Sequence, residues 1–220
     1  MLLRITLSVW MFLFSFYGAE GLAQAKTSKK VSKPITKPWA NLDGFRSAKF
    51  GMNQRRVIRA ISKDFKISKR KVKLNVHPTE KTTNLSISVP KLLGGTATVV
   101  YILGQKSKEL VQINVMWGLG VDKNVEEENV VNTANMLRDH FLKKRYKKET
   151  MAVNAKLTDS QMVVFRGEDE KNRMVLMVLT KQKKEKKEST KEAAKKISLR
   201  LSYMLNFDKP DVFSIKEGEF

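Results

Sequence analysis

Cysteine is absent from the 220-residue chain. No disulfide, thiolate metal site or thiol nucleophile can therefore form, and stability rests on packing even in a compartment that permits disulfides. Histidine is scarce, with only His77 and His140. They do not stand at metal-ligand spacing, and without thiolates a zinc site would need carboxylates. His77 precedes Pro78 in a turn and His140 follows Asp139 on a helix, so both read as structural. Glycine-rich signals stop short as well. Gly94-Gly95 and Gly118-Leu119-Gly120 extend to no dinucleotide or phosphate loop, and no Gly-x-Ser-x-Gly elbow occurs. The acidic cluster Glu168-Asp169-Glu170 falls in a charged hairpin loop, read as solvated, without the apolar setting that raises a carboxyl pKa. No catalytic, metal or cofactor site is expected, and the chain reads as non-enzymatic.

Negative charge is scarce relative to positive. Twenty-two acidic residues face 43 Lys and Arg, a formal net charge of +21. Such an excess attracts polyanions and opposes self-association. The competing reading is a lysine-rich surface kept for solubility.

The amino terminus reads as an export signal over residues 1–25. Arg4 supplies the n-region charge, Ile5 to Tyr17 the apolar h-region, and Ala23-Gln24-Ala25 a small-x-small cleavage site. The apolar run is shorter than the roughly 20 residues a spanning helix needs, so no transmembrane helix is expected after cleavage. The mature chain is expected in the periplasm or outside the cell. Residues 26–38, with five Lys, two Pro and no periodicity, read as a disordered basic arm.

A single α+β domain is expected over 39–220. Asn53 suits an N-cap, and Val57, Ile58, Ile61 and Phe65 form an amphipathic stripe behind it. Alternation at Leu85-Ile87-Val89 marks a strand ended by Pro90. Thr96 to Leu103 and Leu110 to Trp117 read as a hairpin, and a weaker strand covers Val72 to Val76. A second helix starts from Asn124, with Glu126 to Glu128 in its first turn and Lys143 to Arg145 in its last, matching the helix dipole. Strands at Met162–Arg166, Met174–Thr180 and Ile197–Leu205 follow. Lys181 to Lys196 reads as a lysine-rich loop and 207–220 as an irregular strap. The expected architecture is two helices packed on an antiparallel sheet of about six to seven strands. The halves 45–117 and 124–205 would each be a helix plus a meander, a possible duplication.

Phe50-Gly51-Met52-Asn53, followed by Val57 and Ile61, resembles the entry to the first helix in outer-membrane assembly lipoproteins and β-lactamase-inhibitor-like proteins. Gly44 to Met52, with Pro210-Asp211-Val212-Phe213 and Gly218-Glu219-Phe220, is similar to exported alphaproteobacterial proteins of unknown function. The resemblance implies helices on an antiparallel sheet, and binding rather than catalysis. The chain departs from the lipoproteins in lacking a lipidated cysteine, and no functional residue carries over.

The basic segments are the candidate site: Arg55 and Arg59 on the first helix, Lys143, Lys144, Arg145, Lys147 and Lys148 after the second, and Lys183, Lys184, Lys186 and Lys187 in the loop. Such clusters bind phosphates with counterion release or anionic lipid headgroups, and Tyr146 could stack on a base. Export argues against nucleic acid as the physiological partner. The expectation is a periplasmic interaction protein meeting anionic lipid headgroups, lipopolysaccharide or an acidic protein. The alternatives are an envelope assembly or chaperone module for outer-membrane proteins, and a hydrolase with an unrecognised site.

Overall fold

The computed structural model describes residues 37–122, 124–182, 197–215 and 218. The expected signal peptide, the arm as far as residue 36, and the loop cations Lys183, Lys184, Lys186 and Lys187 lie outside them.

Two helices pack on one face of an eight-stranded antiparallel sheet. A small hairpin, β1 (Gly44–Phe45) and β2 (Ala48–Lys49), precedes α1 (Gln54–Phe65) and a 3-10 turn (Lys69–Lys71). Strands β3 (Lys73–Val76), β4 (Thr83–Leu92), β5 (Gly95–Leu103) and β6 (Leu110–Gly118) follow. The same order then recurs. Helix α2 (Glu127–Leu142) and a 3-10 turn (Lys148–Thr150) lead into β7 (Ala152–Thr158), β8 (Gln161–Glu168), β9 (Met174–Lys181) and β10 (Ile197–Met204). The spatial order is β3-β4-β5-β6-β10-β9-β8-β7. The two meanders therefore join through their last strands, with Trp117 opposite Leu199 and Ile113 opposite Tyr203.

Period-two alternation decides which face is covered. Leu85, Tyr101, Ile113 and Tyr203 line up across β4, β5, β6 and β10 and point toward the helices. Val57, Ala60 and Ile61 of α1, and Val130, Ala134 and Phe141 of α2, are buried in the same cluster. An aromatic seam ties the second half together: Phe141 stacks on Phe165 at 5.3 Å, and Tyr146 meets Phe165 edge-on at 5.1 Å. Trp117 belongs to this core, its indole N–H donating to the Leu92 carbonyl at 2.8 Å.

Three readings of the sequence are corrected. The sheet has eight strands rather than six to seven, because β7 gave no alternating signal: Ala152-Val153-Asn154-Ala155-Lys156-Leu157 is an edge strand with almost every residue exposed. Pro90 does not end β4, which runs on to Leu92 through a register shift between Val89 and Leu92; an irregularity of this kind is where a residue without an N–H is tolerated. Asp169 is not solvated. It is 1% exposed and accepts from the backbone N–H groups of Leu42, Lys171 and Arg173, besides the Arg173 guanidinium.

Candidate functional site

Helix α1 presents its apolar stripe to the sheet, so its charged positions must face water. Arg55, Arg56, Arg59 and Lys63 are exposed on α1, Lys66 at its C-cap, Lys69, Arg70 and Lys71 on the 3-10 turn, and Lys73 on β3. Asp64 is the lone acid between Asn53 and Val76. It is occupied within the fold, its carboxylate accepting from the Ser47 N–H at 2.8 Å and its carbonyl from Arg46 at 3.2 Å. No ion pair among the described residues engages any of the nine cations. They follow one another along the chain as a basic band from α1 through the 3-10 turn to the β3 edge.

Two of these cations stand where they cost stability. Arg55 and Arg56 occupy the first turn of α1, which contains no acidic residue. The helix dipole disfavours positive charge there by about 0.3–1 kcal/mol each. The Asn53 side chain, accepting from the Arg56 N–H at 3.1 Å, holds the turn together. Arg55 also lines a shallow notch of about 360 Å³ with Lys108 and Thr83.

Of the cations singled out from the sequence, Arg55 and Arg59 belong to this band. Lys143, Lys144, Arg145 and Lys148 are exposed after α2 and Lys147 is half-buried, but Arg145 and Lys147 have partners within the fold. The Arg145 guanidinium lies 4.0 Å from the centre of the Trp39 ring, and Lys147 donates to the Asn172 side chain. Tyr146 cannot stack on a ligand. It is 3% exposed and packs against Gly167, where an added Cβ would fall 2.8 Å from the tyrosine ring. Burial raises its hydroxyl pKa far above the ordinary range, as it does for Tyr101, and pushes Tyr203 up to about 12.

Topology brings part of the two groups to one end of the sheet. Met52 and Gly51, just before α1, bond to Leu110 at the β5–β6 turn (Leu110 N–H to Met52 O, 2.9 Å), while the Lys147 N–H reaches Glu168 O at the β8–β9 turn (3.0 Å). Both turns lie at the end where Gln112, Met204 and Met174 are in register. Lys181 and Ile197, on either side of the undescribed residues 183–196, pair at the opposite end.

The 3-10 turn and β3 cations were not singled out from the sequence. The run Lys69-Arg70-Lys71-Val72-Lys73 is visible there, but Val72 to Val76 reads only as a weaker strand, and its place at the sheet edge is a tertiary fact.

Among the described residues no helix is long and apolar enough to cross a membrane, and no group of three His, Asp or Glu is placed to hold a metal ion. The chain matches no known protein family, no curated protein and no solved structure.

Proposed function

We propose that this chain is an exported, non-enzymatic interaction protein of the bacterial envelope that engages anionic surfaces through the band formed by α1, the 3-10 turn and β3. One observation carries the reading: nine exposed cations without an ionic partner among the described residues, two of them set against a helix dipole. Solubility alone would be served by cations placed where the dipole favours them. Near an anionic bilayer each Lys or Arg contributes about 1 kcal/mol within a Debye length, so a band of this density suffices for peripheral attachment to lipid headgroups or lipopolysaccharide phosphates.

Sedimentation with phosphatidylglycerol vesicles tests it. Binding is expected at low ionic strength and is lost as salt rises and the Debye length falls below about 10 Å. Equal binding to phosphatidylcholine vesicles, or insensitivity to salt, defeats the proposal. Export is checked separately by intact mass of the protein from a periplasmic fraction, expected to begin at Lys26.

A second reading, an assembly module that pairs with strands of outer-membrane proteins, is favoured by the two sheet edges. β3 and β7 each have one unpaired side, with Leu74, Val76 and Leu157 more than half exposed. Strand addition at such an edge relies on backbone hydrogen bonds. It predicts salt-resistant retention of a synthetic barrel-strand peptide and slowed amide exchange in β3 or β7.

A further inference from the structure

The sheet face turned away from the helices carries a groove of about 580 Å³. Its floor is the alternate stripe of β9, Met174, Leu176, Val178 and Thr180, which runs for about 20 Å at strand rise. Arg200 stands opposite Val178 on one neighbouring strand and Arg166 opposite Leu176 on the other. The two arginine-bearing strands therefore flank the apolar stripe about 10 Å apart. At the rim, the Phe207 ring of the C-terminal strap lies 5.6 Å from the Arg166 guanidinium.

Neither arginine is held in a close ion pair among the described residues. Arg200 is exposed and makes no ion pair or side-chain hydrogen bond among the described residues. The Nε of Arg166 is enclosed without a partner, and its nearest carboxylate, Glu168, is 3.9 Å away. That is about 1 Å longer than a charge-assisted bond. The floor selects against a polypeptide. β9 is hydrogen-bonded on both sides, to β10 and to β8, so an extended peptide laid on it finds no strand edge to pair with. An unbranched hydrocarbon chain has no such requirement.

We infer that this groove binds a single-chain amphiphile with an anionic head, its chain along the β9 stripe and its carboxylate or phosphate between Arg166 and Arg200. The site is separate from the basic band, so either can fail without the other.

The test is a fluorescence titration with dansylundecanoate, displaced in turn by dodecanoate, dodecyl phosphate, dodecanol and acetate. Saturable binding is expected, displaced by dodecanoate or dodecyl phosphate, the tighter of which names the head group. Dodecanol should compete weakly and acetate not at all. Arg166→Gln and Arg200→Gln should each weaken dodecanoate by about tenfold and leave dodecanol unchanged, with circular dichroism confirming the fold. The variant carrying Gln at 69, 70, 71 and 73 should lose vesicle binding and keep dodecanoate. Absence of saturable binding, equal competition by dodecanol, unchanged affinity in both arginine variants, or displacement of the probe by an acidic peptide instead overturns the inference.

Discussion

The two halves share an element order and differ in charge. From Asn53 to Val76 the first half has nine cations and one acid. The corresponding stretch of the second half, Glu126 to Thr158, mixes seven cations with five acids. Their helices begin in opposite ways. α1 has a side-chain cap and two arginines in its first turn, whereas α2 lacks a side-chain cap bond and starts with Glu127 and Glu128. α2 follows the dipole rule, and α1 breaks it. The halves also differ in anchoring. The second is clamped by Asp169, which holds the Leu42 N–H at 3.0 Å and the Arg173 guanidinium at 2.7 Å, while Arg173 in turn donates to Asn41. The first has the lighter clip of Asp64 on Ser47. One helix-plus-meander plan thus serves a half built for stability and a half that spends some stability on an exposed charge surface.

The largest expected effect tests that division directly. Replacing Lys69, Arg70, Lys71 and Lys73 with Gln should weaken phosphatidylglycerol vesicle binding by roughly 4 kcal/mol, at about 1 kcal/mol per cation, with the melting temperature nearly unchanged. Lys143, Lys144 and Lys148 changed to Gln together should cost less, because three charges rather than four are removed and Glu149 sits beside Lys148. Equal losses in the two sedimentation series would erase the functional contrast between the halves.

Asp169→Asn comes next. It leaves the largely buried Arg173 guanidinium beside a neutral side chain, and denaturant melts should show a loss of about 3 kcal/mol. Asp64→Ala should lose about half as much. Burial opposes ionisation of Asp169, but the Arg173 side chain and the N–H groups of Leu42, Arg173 and Lys171 together outweigh it and hold its pKa below the usual carboxylate range. Its stabilisation is therefore fully present above the unfolded value of about 4 and is lost as pH falls through the lower folded value. The Asn variant should lack this acid-sensitive component, so the two stability curves converge at low pH.

A smaller loss, about 2 kcal/mol, is expected for Gly167→Ala, since a methyl group there meets the Tyr146 ring and overpacks the seam. Near-ultraviolet circular dichroism should register the displaced tyrosine. The smallest effect has the opposite sign. Arg55→Glu with Arg56→Glu should raise stability by about 0.5 kcal/mol per site through the dipole while weakening vesicle binding. Destabilisation by this pair would mean that the arginines serve the fold after all.

Much of the architecture was legible. The stripe at Val57, Ile61 and Phe65 located α1, and alternation located β4, β6 and β10, because a half-buried element must repeat its apolar residues at its own period. β7 escaped because an edge strand exposed on nearly every residue has no such constraint. Tyr146 and Asp169 were misread for a related reason. Both sit in charged sequence, and the partners that bury them, Phe165, Gly167 and Leu42, are distant in the chain. Arg55 and Arg59 were legible as cations on the water-facing side of α1, while the exposure of Lys73 beside them depended on the edge position of β3.

The sequence alone determined the cation excess, the lack of thiol chemistry, the two helices and the antiparallel pairing of local strands, all of which follow from composition or from contacts near in the chain. Only the tertiary structure decided that the meanders join through β6 and β10, that Asp169 is buried, and that Arg166 and Arg200 flank one apolar stripe. Register between strands far apart in sequence is set by the packing of both halves on a common core, and no short-range pattern encodes it.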